Sequence, residues 1–289
     1  MKIFIKLSVV IVLLFGCNSG ANNPKTKNVS EKTALVSAKS ASKLAVDNKI
    51  IAYNGKAKTI HILVALCDNK YQGIVPVPKN IGNGQNPKSN LYWGAGYGIK
   101  TFFKRSKEWQ LIKSTKVNDT ILERLLFKHR KKDFYLVADA YDGQYIEQTT
   151  IDFIKSSAGL IKDTLHIGTK VIGINGNANL VSYIGHDGLM DFELHQSYKN
   201  IDNIKRDIII LACYSKHYFL KFMKEANANP LVWTSGLMAP EAYTIHDAIT
   251  GYVNGESNEK IRLRAARAYS KYQKCSLRAS KNLLVNSWN

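Results

Sequence analysis

The chain has 289 residues and a formal charge of +19, from 41 Lys and Arg against 22 Asp and Glu. That excess favours acidic partners such as anionic headgroups, cell-wall polymers or acidic envelope proteins. No stacking aromatics interleave with the basic residues as in a nucleic-acid module, so nucleic acid is not an expected partner.

Met1, Lys2 and Lys6 precede an apolar stretch over residues 7–15, the form of a secretory signal. The stretch is too short to span a bilayer. It ends in Leu14-Phe15-Gly16-Cys17, which resembles the lipobox of bacterial lipoproteins over residues 1–17. The resemblance implies acylation of Cys17, palmitate included, and attachment to the membrane through that lipid. Asn18 stands where an Asp would imply inner-membrane retention, so the implied location is the outer membrane of a bacterial cell envelope. Residues 18–57, rich in Asn, Lys, Ser and Ala, read as a flexible tether. The remaining stretch of about 230 residues suffices for one α/β domain, over 58–256, with a sizeable core.

Short apolar runs then alternate with amphipathic stretches, the pattern of a largely parallel sheet flanked by helices, a three-layer α/β sandwich. Strands are expected over 59–67, 109–113, 134–140, 171–174, 180–184, 207–212 and 231–234, and helices over 97–106, 119–130, 145–157, 215–226 and 241–254. Asn118 and Asp119 read as a cap for a helix whose apolar face is Ile121, Leu122, Leu125 and Leu126. Residues 68–97 read as a long irregular segment bordering the crevice, and such segments are commonly functional. Its Gly94, Gly96 and Gly98 match no phosphate-binding spacing. Residues 257–289 form a basic C-terminal tail, helical over 259–284, expected to wrap the domain.

With Cys17 assigned to the anchor, Cys67, Cys213 and Cys275 remain, an odd number that leaves at least one thiol free. Cys67 reads as a small core residue or as a disulfide partner of Cys213. The run 180–184 leads into Gly185-His186-Asp187-Gly188, and the run 207–212 ends in Ala212-Cys213. Each is a buried strand, so the imidazole and the thiol emerge at neighbouring carboxyl ends, where α/β sheets place their crevice. The order of strand, His, Gly, helix, strand and Ala-Cys resembles the caspase-like cysteine peptidases, the clan of legumain, gingipain and clostripain, over about residues 59–255 as topology. Here Asp187 stands between His186 and its glycine.

The resemblance implies a cysteine peptidase without cofactor or metal, acting on a peptide or protein. Cys213 would attack as thiolate, His186 would protonate the leaving amine, and the amides of Gly188 and Cys213 would hold the oxyanion. A helix beginning near Ser215 would favour the thiolate. Trp233 and Ser235 are candidate walls of the specificity pocket, Trp233 reading equally as a core anchor, and Asp68, Asp139, Asp142 and Glu241 are candidate acidic floors. Two rivals use the same residues. Asp68, Asp139, Asp142, His186, Asp187 and Asp191 could gather a divalent metal for hydrolysis. Alternatively the fold is a non-catalytic envelope lipoprotein that binds rather than cleaves.

Overall fold

The computed structural model describes residues 53–288. The signal segment, Cys17 and residues 18–52 of the tether lie outside the described residues.

Five parallel strands make the centre of the sheet. β1 (Lys58–Ala65) pairs on one side with β4 (Phe134–Tyr141) and on the other with β7 (Leu180–Ile184). Next to β7 come β8 (Asp207–Leu211) and β9 (Asn229–Thr234). Every side chain of β7 is buried, as expected of a strand covered on both faces. Antiparallel strands close both edges: β3 (Ile121–His129) and β2 (Trp109–Thr115) beyond β4, and the two-residue β10 (Leu284–Val285) beyond β9.

Each face of this sheet buries a separate apolar layer. On one, Ile60, Ile62, Val64, Leu180, Ile184, Ile209 and Leu211 pack with residues of α1 (Ile99–Arg105), α4 (Ala242–Val253) and α5 (Asn258–Gln273). On the other, Leu63, Val181, Tyr183, Ile208 and Ile210 pack with Phe153 of α2 (Ile146–Ser157) and with Phe219 and Met223 of α3 (Ser215–Glu225). A separate hairpin of β5 (Lys162–Ile167) and β6 (Lys170–Asn175) covers Leu126, Tyr135 and Val137. The protein is therefore α/β, with a mostly parallel mixed sheet between helical layers.

Three expectations need correction. Residues 119–130 are not a helix: the Asn118 side chain accepts from the amides of Thr120 and Ile121, closing a turn, and the chain continues as β3. Leu125 and Phe127 face one core and Leu126 another, so a strand covered on both faces imitates helical spacing. The expected helix between His186 and Cys213 is absent; a 3-10 turn over Gly188–Met190 and irregular chain make that crossover. The tail is not one helix. Lys274 adopts a left-handed conformation with φ of 52°, ending α5, and the chain resumes as α6 (Leu277–Leu283) and β10.

That tail belongs to the core. Ile261, Ala265, Ala268 and Leu284 lie in the same apolar layer as the sheet. The Arg262 guanidinium donates to the carbonyls of Lys281 and Leu284, pinning α6 and β10 beneath α5.

Candidate functional site

The last paired residues of β7 and β8 are Ile184 and Leu211, so His186 and Cys213 each stand two residues beyond the same rung of a parallel ladder. Adjacent strands are about 4.8 Å apart, which puts the two side chains at neighbouring exits of the sheet. Between rung and histidine, Gly185 takes a φ of 146°, and a Cβ there would lie 2.8 Å from the Ala65 carbonyl oxygen. Only glycine lets the chain turn so close to β1.

His186 is almost wholly buried and its Nε2 lies 2.8 Å from Asp191 Oδ2. The same carboxylate oxygen accepts from the Gly73 amide at 2.9 Å, tying the loop after β1 to the histidine. An ionised Asp191 can only accept, so Nε2 carries the hydrogen and Nδ1 is left as the basic nitrogen. Asp191, the partner of the histidine, is a residue that sequence reasoning placed only in a hypothetical metal cluster. Its signal was a carboxylate five positions after the histidine, across a turn.

The backbone at Cys213 is held by hydroxyls. Ser215 and Thr234 bond reciprocally, each side-chain oxygen accepting the other's amide, while Ser215 donates to Ile210 and Thr234 to Ala212. Tyr214 takes a left-handed φ of 50° and its amide donates to the Gly236 carbonyl. The partly buried thiol lies 3.4 Å from the Met238 amide and 3.6 Å from its carbonyl oxygen. No hydrogen bond joins the thiol to His186 among the described residues.

Burial pushes the Cys213 thiol up, opposed by the Met238 amide and reinforced by the charge of Asp187. The expected thiolate therefore has burial working against it. Cys67, Cys213 and Cys275 are all free thiols, so no Cys67–Cys213 disulfide forms. Cys67 is wholly buried and its thiol, beside the Tyr92 hydroxyl, is pushed up to about 11 by burial.

Gly188 is buried, and a Cβ there would meet the Phe192 ring at 2.8 Å. The Tyr183 hydroxyl donates to the His186 carbonyl at 2.7 Å. Trp233 is wholly buried, with its indole N–H on the Ser287 carbonyl and its ring against Trp288, so it anchors the core rather than walling a pocket. Ser235 is exposed, but its hydroxyl donates to the Asn282 carbonyl of α6.

The candidate acidic floors are committed elsewhere. Asp68 accepts from the amides of Lys70 and Tyr71 and from Gln85, which also bridges to Asp142. Asp139 is locked to Arg124 and His61, and Glu241 accepts from Tyr243 and Gln273. Among the described residues no three His, Cys, Asp or Glu side chains converge as metal ligands.

No family model, no curated protein and no solved structure matches the chain.

Proposed function

We propose that the protein is a cell-envelope lipoprotein, anchored to the bacterial outer membrane through Cys17, with a caspase-like cysteine peptidase fold and activity. One observation carries the reading. His186 and Cys213 leave adjacent parallel strands at the same level, with the imidazole oriented by Asp191. In the reaction the Cys213 proton passes to His186 Nδ1 and the thiolate adds to a peptide carbonyl. The carbonyl electron pair moves to oxygen, where the Cys213 amide would receive it. On collapse the C–N bond breaks, His186 gives its proton to the departing amine, and water later hydrolyses the thioester. Exposed Tyr71, Met190, Tyr214 and Leu237 follow strands β1, β7, β8 and β9 and offer apolar contacts to an extended peptide. The absent thiol–imidazole hydrogen bond is compatible with this, because catalytic contacts often tighten only when substrate binds.

A second reading, a binding module on the same fold, is favoured by the raised Cys213 thiol. Labelling decides between them. A peptidase reacts at Cys213 with a peptidyl acyloxymethyl ketone, and His186→Ala slows that reaction by about 10²-fold or more. A protein that labels only with iodoacetamide, at a rate indifferent to His186, is a binding module.

A further inference from the structure

The amino end of the parallel sheet, opposite the end that carries His186 and Cys213, is formed by turns that touch one another. The turn after α2 meets the loop before β8 where the Ile201 amide donates to the Ala158 carbonyl at 3.4 Å, and the Lys162 ammonium lies 2.7 Å from Asp202. Asn200 reaches the end of α3, its amide donating to the Glu225 carbonyl and its side chain to the Ala226 carbonyl. Buried Arg206 ties the loop to Gly176 and to Asp202. These turns are held in place, yet three large apolar side chains on them face solvent: Leu160, Ile201 and Ile204, the two isoleucines 64% and 54% exposed. Exposed Lys162, Lys199, Lys205 and Lys224 stand among them. Asp202, the single acid over 158–162 and 199–206, is committed to Arg206 and Lys162. The turn between β3 and β4 brings Arg130, Lys131 and Lys132 to the same end, since Phe134 pairs with Lys58 at the start of β1.

Isoleucines held in water beside lysines match the two layers of an anionic bilayer surface, the acyl boundary and the phosphates. The course of the chain points the same way. It enters the described residues at this end: the Tyr53 hydroxyl donates to the carbonyl of Asn177, in the turn before β7, and β1 begins at Lys58. Upstream of Tyr53, residues 18–52 lead back to Cys17. We propose that this face, Leu160, Ile201 and Ile204 with Lys199 and Lys205, docks on the anionic bilayer that holds the Cys17 lipid. The proposal rests on the lipoprotein reading above. Docking sets the isoleucines at the acyl boundary and the lysines at the phosphates, and it turns the carboxyl ends of the strands toward bulk water. β7 and β8 have five residues each, so about 17 Å of strand separates the docked turns from the rung that precedes His186 and Cys213. The peptide site then serves substrates that stand off the membrane rather than segments embedded in it.

Hydrogen exchange of the full chain on vesicles tests this, with phosphatidylcholine alone compared against an equal mixture of phosphatidylcholine and phosphatidylglycerol. On the mixed vesicles the amides over 199–206 are expected to exchange about tenfold more slowly than on the neutral ones, while those over 235–238, at the other end of the sheet, keep their rate. Raising the salt to about 0.5 M restores the faster rate. Lys199→Ser with Lys205→Ser, or Ile201→Ser with Ile204→Ser, removes the slowing. All four residues are exposed, so each variant should keep the melting temperature of the parent. Equal rates over 199–206 on the two kinds of vesicle overturn the proposal, as does slowing that survives both double substitutions. Slowing confined to 71–75 and 235–238 overturns it too, because the opposite end is then the one that docks. Flotation separates this face from the anchor. A chain that floats with both vesicles and shows no slowing keeps its lipid anchor and loses the docking face. One that floats only with the mixed vesicles and shows the slowing keeps the docking face, and the anchor reading falls.

Discussion

His186 Nε2 and Asp191 Oδ2 stand 2.8 Å apart across a single 3-10 turn, and the Gly73 amide holds the same carboxylate from the other side. A histidine fixed in this way holds one tautomer and one ring orientation. Asp191→Asn keeps the shape but weakens that choice. The expected result is a loss of about 10²-fold or more in ketone labelling of Cys213. Thermal unfolding should move little, because the Asp191 side chain is a quarter exposed. An unchanged labelling rate would show that the histidine needs no orienting partner.

Asp139 makes the opposite kind of pair. Burial alone would raise its carboxyl, but hydrogen bonds from Arg124 and His61 overcome that and hold it below the ordinary carboxylate value. A folded pKa below the unfolded one contributes stability above about pH 4, and that stability is lost as the pH falls through the lower folded value. Asp139→Ala leaves Arg124 largely buried without its partner and should cost about 3–5 kcal/mol at pH 7. Urea titrations should also show the gap between variant and parent narrowing below pH 4.

Much of this was legible because the central strands are buried on both faces. Continuous runs such as Ile208 to Leu211 admit little else, and His186 and Cys213 follow from where those runs stop. The same property hid β3, since Leu125, Leu126 and Phe127 serve two cores at once and so lose strand alternation. Trp233 read equally as a pocket wall and as a core anchor because sequence cannot say which side of a strand end faces the crevice; its partner Trp288 lies in a tail whose last strand is only two residues long. The contact of Asp191 with His186 and the burial of Asp187 depend on a turn geometry that no propensity encodes.

Asp187 is wholly buried, and its stability cost should be visible separately from any chemistry. Its folded value of about 7 lies above the unfolded one, so the native state holds the proton longer. Stability from this group is full below about pH 4 and falls as the pH rises to the folded value. Asp187→Asn removes the ionisation and keeps the acceptor for Leu189. It should match the parent near pH 4 and exceed it by on the order of 4 kcal/mol at pH 8, measured by urea unfolding. A variant less stable than the parent at pH 8 would mean that Asp187 is ionised and paired in the folded protein.

The tail supports the site through a chain of contacts that begins at Arg262. Its guanidinium donates to the carbonyls of Lys281 and Leu284, and it is nearly buried. Leu284 pairs with Thr234 in the sheet, and the Ser235 amide donates to the Leu283 carbonyl. Thr234 in turn exchanges hydrogen bonds with Ser215, two residues after Cys213. Arg262→Ala strands two carbonyls and an acid partner, Glu259, at a cost of about 2–3 kcal/mol. Because α6 and β10 are the elements released, the loss should appear first as faster amide exchange at Thr234 and Ser235, with the β1 and β4 amides unaffected. Loosening Thr234 frees the Ser215 turn that follows Cys213, so iodoacetamide should alkylate Cys213 faster in this variant at a pH where the parent is slow. Protection at Thr234 that matches the parent would place the tail outside the support of the site and leave Arg262 with a purely local role.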